Sequence, residues 1–316
     1  MALNGISDYL SSASFWVGFF WLPLIFFLLL SRDIDTLDEQ KLFRFCKNGI
    51  FLISIYGIFL FVVKQWSGFF IEIPCLTTNL GDLGRLGEKC INRGSVFKLI
   101  STYNNGNIYG VCLLMFLPLY CFLENQFWKR VIVKCALLLT FSRTVWIGLL
   151  FHELCFQWIF AKHKKTILLA LFATLISLTL LCYYYGFSKN FLFDLTFGGR
   201  LDSFTLFIRT GFFSSNPFFG IHEVIYAGVL HAFGWVGLFF FAMALVGPLV
   251  YQLLSRKTHP IHQCIGIGLF NYLLISFSDG ALLLTPTLAF FWFLSSLLHR
   301  NSFANSMDMT SASSPK

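Results

Sequence analysis

The sequence predicts an all-α, polytopic integral membrane protein, and three observations predict it. Hydrophobic residues make up 57% of the 316 positions and charged residues only 12%, about half the charged share of an average soluble domain. Phe alone occurs 41 times and aromatic residues reach 19%, with a mean hydropathy of +0.72; a soluble core has too little polar surface to cover such a load. Apolar runs of membrane-crossing length, about 17–25 residues, recur along the chain. These features exclude a soluble enzyme, a disordered tail and a nucleic-acid module. The formal net charge of +8 is read as the Lys and Arg that orient loops, not as a nucleic-acid footprint.

In chain order, the runs 15–30, 50–63, 108–123, 167–187, 234–254, 264–277 and 281–298 each read as a span. The stretch 131–160 is too long and too charged for one, since it contains Lys134, Arg143 and His152-Glu153. Splitting it at Ser142-Arg143 gives two short helices that meet at one membrane face, and about nine spans in total. Positive charge supports the split. With it, segments 31–48, 124–134, 161–166, 253–262 and 299–316 share one side and hold fourteen of the 23 Lys and Arg residues, which makes that side cytoplasmic. Without it, Trp128-Lys129-Arg130 and Lys162-His163-Lys164-Lys165 fall on opposite sides.

Residues 1–316 then form a single membrane domain with two long outer loops, 64–107 and 188–231, and a disordered cytoplasmic tail over 301–316. Loops of that length are usually functional. No cleavable signal peptide is expected, because residues 1–13 hold no Lys or Arg and no small-x-small site follows the first apolar run. Most of the nine cysteines lie in or beside spans as small hydrophobes. Cys75 and Cys90 fall together in the first outer loop, where an oxidising periplasm would permit a disulfide. No Cys or His spacing suggests a metal, and no cofactor motif is present.

An arginine near hydrocarbon usually marks a site or pathway. Arg143, with apolar residues on both sides, is the sharpest case. Arg200, in Gly198-Gly199-Arg200, and Arg209 belong to the second outer loop, where 201–213 has the pattern of an amphipathic helix at the membrane surface. Helix N-termini and guanidinium groups both favour phosphate. His222-Glu223 supplies candidate bases. Asp279, in Ser278-Asp279-Gly280, stands at the level of Arg143 and is a candidate partner for an arginine; its bland alternative is a turn acid. The run Ser101 to Asn107, with Asn105 at its centre, offers groups for sugar hydroxyls or for a helix N-cap. His152-Glu153 reads as an intramembrane pair whose partner the sequence does not identify.

The order of these pieces resembles the O-antigen polymerase and O-antigen ligase superfamily. The likeness lies in the Asn-rich start of a span at Asn104 to Asn107, Ser142-Arg143 at a helix tip, Gly199-Arg200 and Asn216-Pro217-Phe218-Phe219-Gly220 in a large outer loop, His222-Glu223 leading to Gly234-x-x-Gly237, and Ser278-Asp279. It covers roughly residues 100–298. The chain departs from the family in Glu223, where Asn is usual, and in a slightly longer gap to Gly234. Members commonly run longer with more spans, which leaves open whether helices seen in relatives are missing here. The resemblance implies a metal-independent, inverting glycosyltransferase of the bacterial inner membrane, with its donor, a glycan on undecaprenyl pyrophosphate, at the periplasmic face. Arg143 and Arg200, with Arg209 beside them, would hold the pyrophosphate, and His222 or Glu223 would take the acceptor proton. A polymerase uses a second lipid-linked repeat unit as acceptor, a ligase uses lipid A–core, and partners would include a flippase and a chain-length regulator. A transporter or flippase is the rival of another class, and a non-enzymatic scaffold the third.

Overall fold

A computed structural model describes residues 13–78, 84, 92–93, 96–103, 105–160, 164–186, 210–214, 224–255, 259–279, 281–282 and 284–300. Ten helices account for nearly all of them. They are α1 (Ala13–Leu29), α2 (Ser31–Thr36), α3 (Glu39–Ser67), α4 (Gly106–Leu123), α5 (Phe127–Leu138), α6 (Arg143–Phe160), α7 (Lys164–Tyr184), α8 (Ile225–Leu254), α9 (Pro260–Asp279) and α10 (Thr285–His299). The described strands are β1 (Asn92–Arg93) and β2 (Val96–Phe97), paired antiparallel between α3 and α4.

Helices stand in all nine expected places. Four of them, α3, α4, α8 and α9, are long and apolar enough to cross a membrane, so a helical membrane protein is what the structure supports. The other places hold shorter or less apolar helices, and nine full spans are not established. Helix α5, with 12 residues, rises only about 18 Å, short of a hydrocarbon core of about 30 Å.

The helices begin and end for local reasons. The Asp38 carboxylate caps α3 by accepting the Gln40 and Lys41 amides at 3.0 and 3.2 Å. Those bonds and the neighbouring Lys41 ammonium hold its carboxyl below the usual range. Gly68 closes the same helix with a left-handed φ of 75°. Asn105 caps α4, its side-chain oxygen accepting the Asn107 amide at 2.9 Å.

Helices α4 and α9 form the centre. In their most apolar stretches 72% of residues are buried inside the protein, against 28% in α3 and 33% in α8. Helix α9 packs against α4, α6, α8 and α10. Its closest approach is at Gly268, where an added Cβ would collide with the Met115 carbonyl of α4. At one end of the bundle, Lys47 and Lys129 lie 3.7 and 3.8 Å from Glu124, and Arg300 lies 3.1 Å from Glu39. A ring nitrogen of His262 is 3.3 Å from the Arg300 carbonyl. Residues from 31–48, 124–134, 253–262 and 299–300 therefore share that end. The opposite end is built from the start of α4, the turn between α5 and α6, the first turns of α8 and the last turn of α9. The expected tail, 301–316, lies outside the described residues.

Gly268→Ala should force α4 and α9 apart and cost about 1–3 kcal/mol, the range for overpacking a close contact. Gly247→Ala in α8, where an added Cβ meets nothing within 4 Å, should be neutral. The melting temperatures of the two variants in detergent check the contrast.

Candidate functional site

The turn that carries Arg143 is buried. Thr140 and Phe141 are fully buried and Ser142 nearly so. Phe141 adopts a left-handed φ of 48°, a conformation uncommon outside glycine and strained for a bulky side chain. Its ring is held at 5.1 Å from Tyr185, 6.1 Å from Phe61 and 6.3 Å from Trp146. The Trp146 indole N–H donates to the Leu138 carbonyl at 2.9 Å, across the turn. This aromatic clamp presents half-buried Arg143 as the first residue of α6. A cation at that position adds to the positive end of the helix dipole instead of offsetting it. An anion is favoured by both.

The neighbours of the turn come from three segments. The Leu99 amide donates to the Leu139 carbonyl at 2.8 Å, which lays residues 97–101 along the turn. Lys98 is thereby buried, with its ammonium 3.4 Å from the Asn107 side-chain oxygen. Ser101 is also buried and donates to the Ile53 carbonyl at 2.7 Å. Burial beside the Cys112 thiol pushes the Tyr103 phenol up. From α9, the Ser278 hydroxyl lies 3.1 Å from that of Thr144, so the residues flanking Arg143 and Asp279 are in contact. From α8, the Tyr226 hydroxyl lies 2.7 Å from Ser276, and its ring stacks on Phe277 at 4.7 Å.

Helix α8 is broken inside the membrane-length stretch. Gly234 has φ 73° and ψ −172°, outside helical space. Residues 211–213 occupy the break: the Trp235 and Val236 amides donate to the Gly211 and Phe212 carbonyls at 3.4 and 3.2 Å. The Ser214 hydroxyl donates to the His231 carbonyl at 2.7 Å. The helix expected to start at 234 begins at Ile225, within the stretch 188–231 expected to be a loop, and residues 225–230 are buried as the first turns of α8. Of the surface helix expected over 201–213, the described part, 210–213, is irregular chain bound to the break.

Of the expected site residues, Arg143 and the helix carrying Asp279 are at one end of the bundle, through Thr144 and Ser278. Asn105 is there too, and it acts as the N-cap of α4. Arg200, Arg209, His222, Glu223 and Cys90 lie outside the described residues. Cys75 carries a free, exposed thiol at φ 61°. Lys98 was not anticipated. It reads in sequence as one loop cation among several, and the long-range bond from Leu99 to Leu139 that buries it has no sequence signal. The partner of Glu153 is Lys134, whose Nζ lies 2.5 Å from Oε1.

No family model, curated protein or solved structure matches the chain. What is established is the class, a helical membrane protein, and the geometry at the Arg143 end.

Two substitutions probe that geometry. Asn105→Ala should cost about 1 kcal/mol through loss of the cap while Asn105→Ser restores it, as read by thermal unfolding. Gly234→Ala, which must adopt a left-handed φ and meets the Phe212 carbonyl, should cost at least about 1 kcal/mol in the same measurement.

Proposed function

We propose that this chain is a membrane glycosyltransferase of the bacterial inner membrane. It moves a glycan from undecaprenyl pyrophosphate to a sugar hydroxyl at the periplasmic face, as an O-antigen or polysaccharide polymerase. The observation that carries the proposal is Arg143, a guanidinium set at a helix N-terminus by a strained, aromatic-clamped turn, with Lys98 and Asn107 beside that turn. In glycosyl transfer the difficulty is the negative charge that develops on the leaving pyrophosphate. Positioned cations and amide dipoles in a partly dry site lower that barrier without reorganising. A planar guanidinium also grips two phosphate oxygens at once. The lipid pyrophosphate already carries the activation, so no nucleotide is required.

The remaining roles fall to the second outer loop. Arg200 and Arg209 add positive charge for the donor, and His222 or Glu223 takes the proton from the acceptor hydroxyl. Asp279 orients an arginine from the end of α9. The acceptor is a second lipid-linked repeat unit, whereas lipid A–core in its place makes the protein a ligase. A transporter is the second proposal, and the break in α8 at Gly234 favours it, because interrupted helices often form transport sites.

Deletion of the gene should leave lipopolysaccharide core bearing a single repeat unit on a gel ladder. Bare core with long glycan held on undecaprenyl pyrophosphate would make it a ligase instead. Arg143→Ala, at normal abundance, should lower polymer by about 100-fold or more. Arg143→Lys should recover only part, because an ammonium cannot make the paired bonds. Purified protein that moves lipid-linked glycan across liposomes without lengthening it would replace the enzyme with a transporter.

A further inference from the structure

The proposed glycosyl transfer makes no use of a polar cluster in the middle of the helix core. Lys134 of α5 and Glu153 of α6 pair at 2.5 Å, and the Glu153 side chain is only 3% exposed. His152 is fully buried, with Nε2 3.9 Å from the same Glu153 oxygen, beyond hydrogen-bond range. Both of its ring nitrogens are buried without a hydrogen-bond partner, as are the Tyr120 hydroxyl of α4 and the Asn271 side-chain oxygen of α9. Orphaned polar atoms are costly in an apolar interior and rare in native proteins. The two orphaned nitrogens of His152 beside this ion pair define a place for ordered water, which needs two to four polar neighbours.

Polar groups continue from the cluster toward both ends of the bundle. In one direction, Tyr120 is one helical turn from Glu124, whose carboxylate meets Lys47 and Lys129 and whose carbonyl accepts from the Arg130 guanidinium. In the other, the Asn271 amide donates to the Gly148 carbonyl at 2.9 Å, one turn along α6 from His152. Beyond it come the hydroxyl pairs Tyr226–Ser276 and Thr144–Ser278. A line of hydrogen-bonding groups thus threads α4, α6 and α9 through stretches otherwise apolar.

We propose that this line is a proton pathway, with His152 as its central carrier. A hydronium at the Glu124 end gives its proton through water to one ring nitrogen of His152. The hydronium O–H bond breaks, an N–H bond forms, and water is left behind. The other ring nitrogen releases its proton to water on the Asn271 side, which restores neutral imidazole. The Glu153 carboxylate offsets the transient imidazolium, and Lys134 opposes it, so the charge does not stay. The Phe156 ring of α6 lies 5.3 Å from the imidazole. From α4, Cys121 lies within electrostatic reach of Lys134, Glu153 and the Arg130 guanidinium. This activity is independent of glycosyl transfer and of the acceptor used.

The test is proton flux into liposomes of phosphatidylethanolamine and phosphatidylglycerol holding the purified full-length chain and a trapped pH dye, driven by a potassium gradient with valinomycin. Flux should exceed that of protein-free liposomes at least tenfold, and His152→Phe should return it to the protein-free rate. Lys134→Met with Glu153→Leu removes both charges together and leaves neither unpaired; it should also lower the flux. Tyr120→Phe keeps the shape of the core and removes one orphaned hydroxyl, with a several-fold loss expected. Wild-type flux no faster than that of empty liposomes overturns the proposal. So does full flux in folded His152→Phe or, should that variant not fold, full flux in both Tyr120→Phe and the double variant.

Discussion

Helices α4 and α9 touch backbone to side-chain-free backbone where Gly268 meets the Met115 carbonyl, and much of the architecture hangs on that contact. Held so close, α9 brings its next polar residues against fixed partners in turn. Asn271 reaches the Gly148 carbonyl of α6, Ser276 reaches Tyr226 of α8, and Ser278 reaches Thr144. Each of those bonds answers the same constraint, that a polar group taken out of water must find another partner. The hydrophobic effect drives no helix together against lipid, since lipid tails are equally apolar, and close van der Waals packing and interhelical hydrogen bonds do so instead. Close backbone contact and these few polar bonds therefore set how α4, α6, α8 and α9 are arranged.

The helical membrane class was legible from composition and apolar runs, because hydrophobic load is a property that sequence carries directly. The break at Ser142-Arg143 was legible too: two basic clusters had to share a side, and the described helices α5 and α6 do stop and start there. The number of full spans was not, since an apolar run says where a helix can form but not whether it reaches across, and α5 stops after 12 residues. The start of α8 was missed by about nine residues. The run 225–233 contains His231 and follows a loop, and nothing local shows that 211–213 would bind to the open backbone beyond Gly234. Lys98 was missed for the same reason. Its burial depends on Leu99 meeting Leu139, forty residues away, and pairing of that kind leaves no periodic trace.

Charge is distributed unevenly between the two ends, and the difference has a physical meaning. At the Glu124 end, cations meet acids: Lys47 and Lys129 share Glu124, and Arg300 takes Glu39. Such partly exposed pairs contribute little energy each. At the other end the ammonium of buried Lys98 lies 3.4 Å from the Asn107 side-chain oxygen, and Arg143 sits at the positive end of the α6 dipole. The turn before Arg143 holds Phe141 in a strained conformation and walls it with three aromatic rings, and strain of this kind is retained where the geometry is used.

The Lys134–Glu153 pair raises the same question in the core. A buried ion pair can often be exchanged for apolar residues of similar volume with no loss of stability, so its presence is not explained by the stability it supplies. Nor does it account for its neighbours, because the nitrogens of His152 and the hydroxyl of Tyr120 remain without hydrogen bonds whether or not the pair exists. In a chain with so few charged residues, half-buried Lys134 meets fully buried His152 and nearly buried Glu153 from the adjacent helix. Ionisable groups held in an apolar helix core are commonly kept for what they carry or bind. Orphaned atoms recur on the adjoining helices, at Tyr120 one turn from Glu124 and at Asn271 on the Gly148 carbonyl one turn from His152, and recurrence in both directions is what a pathway needs and an isolated flaw in packing lacks.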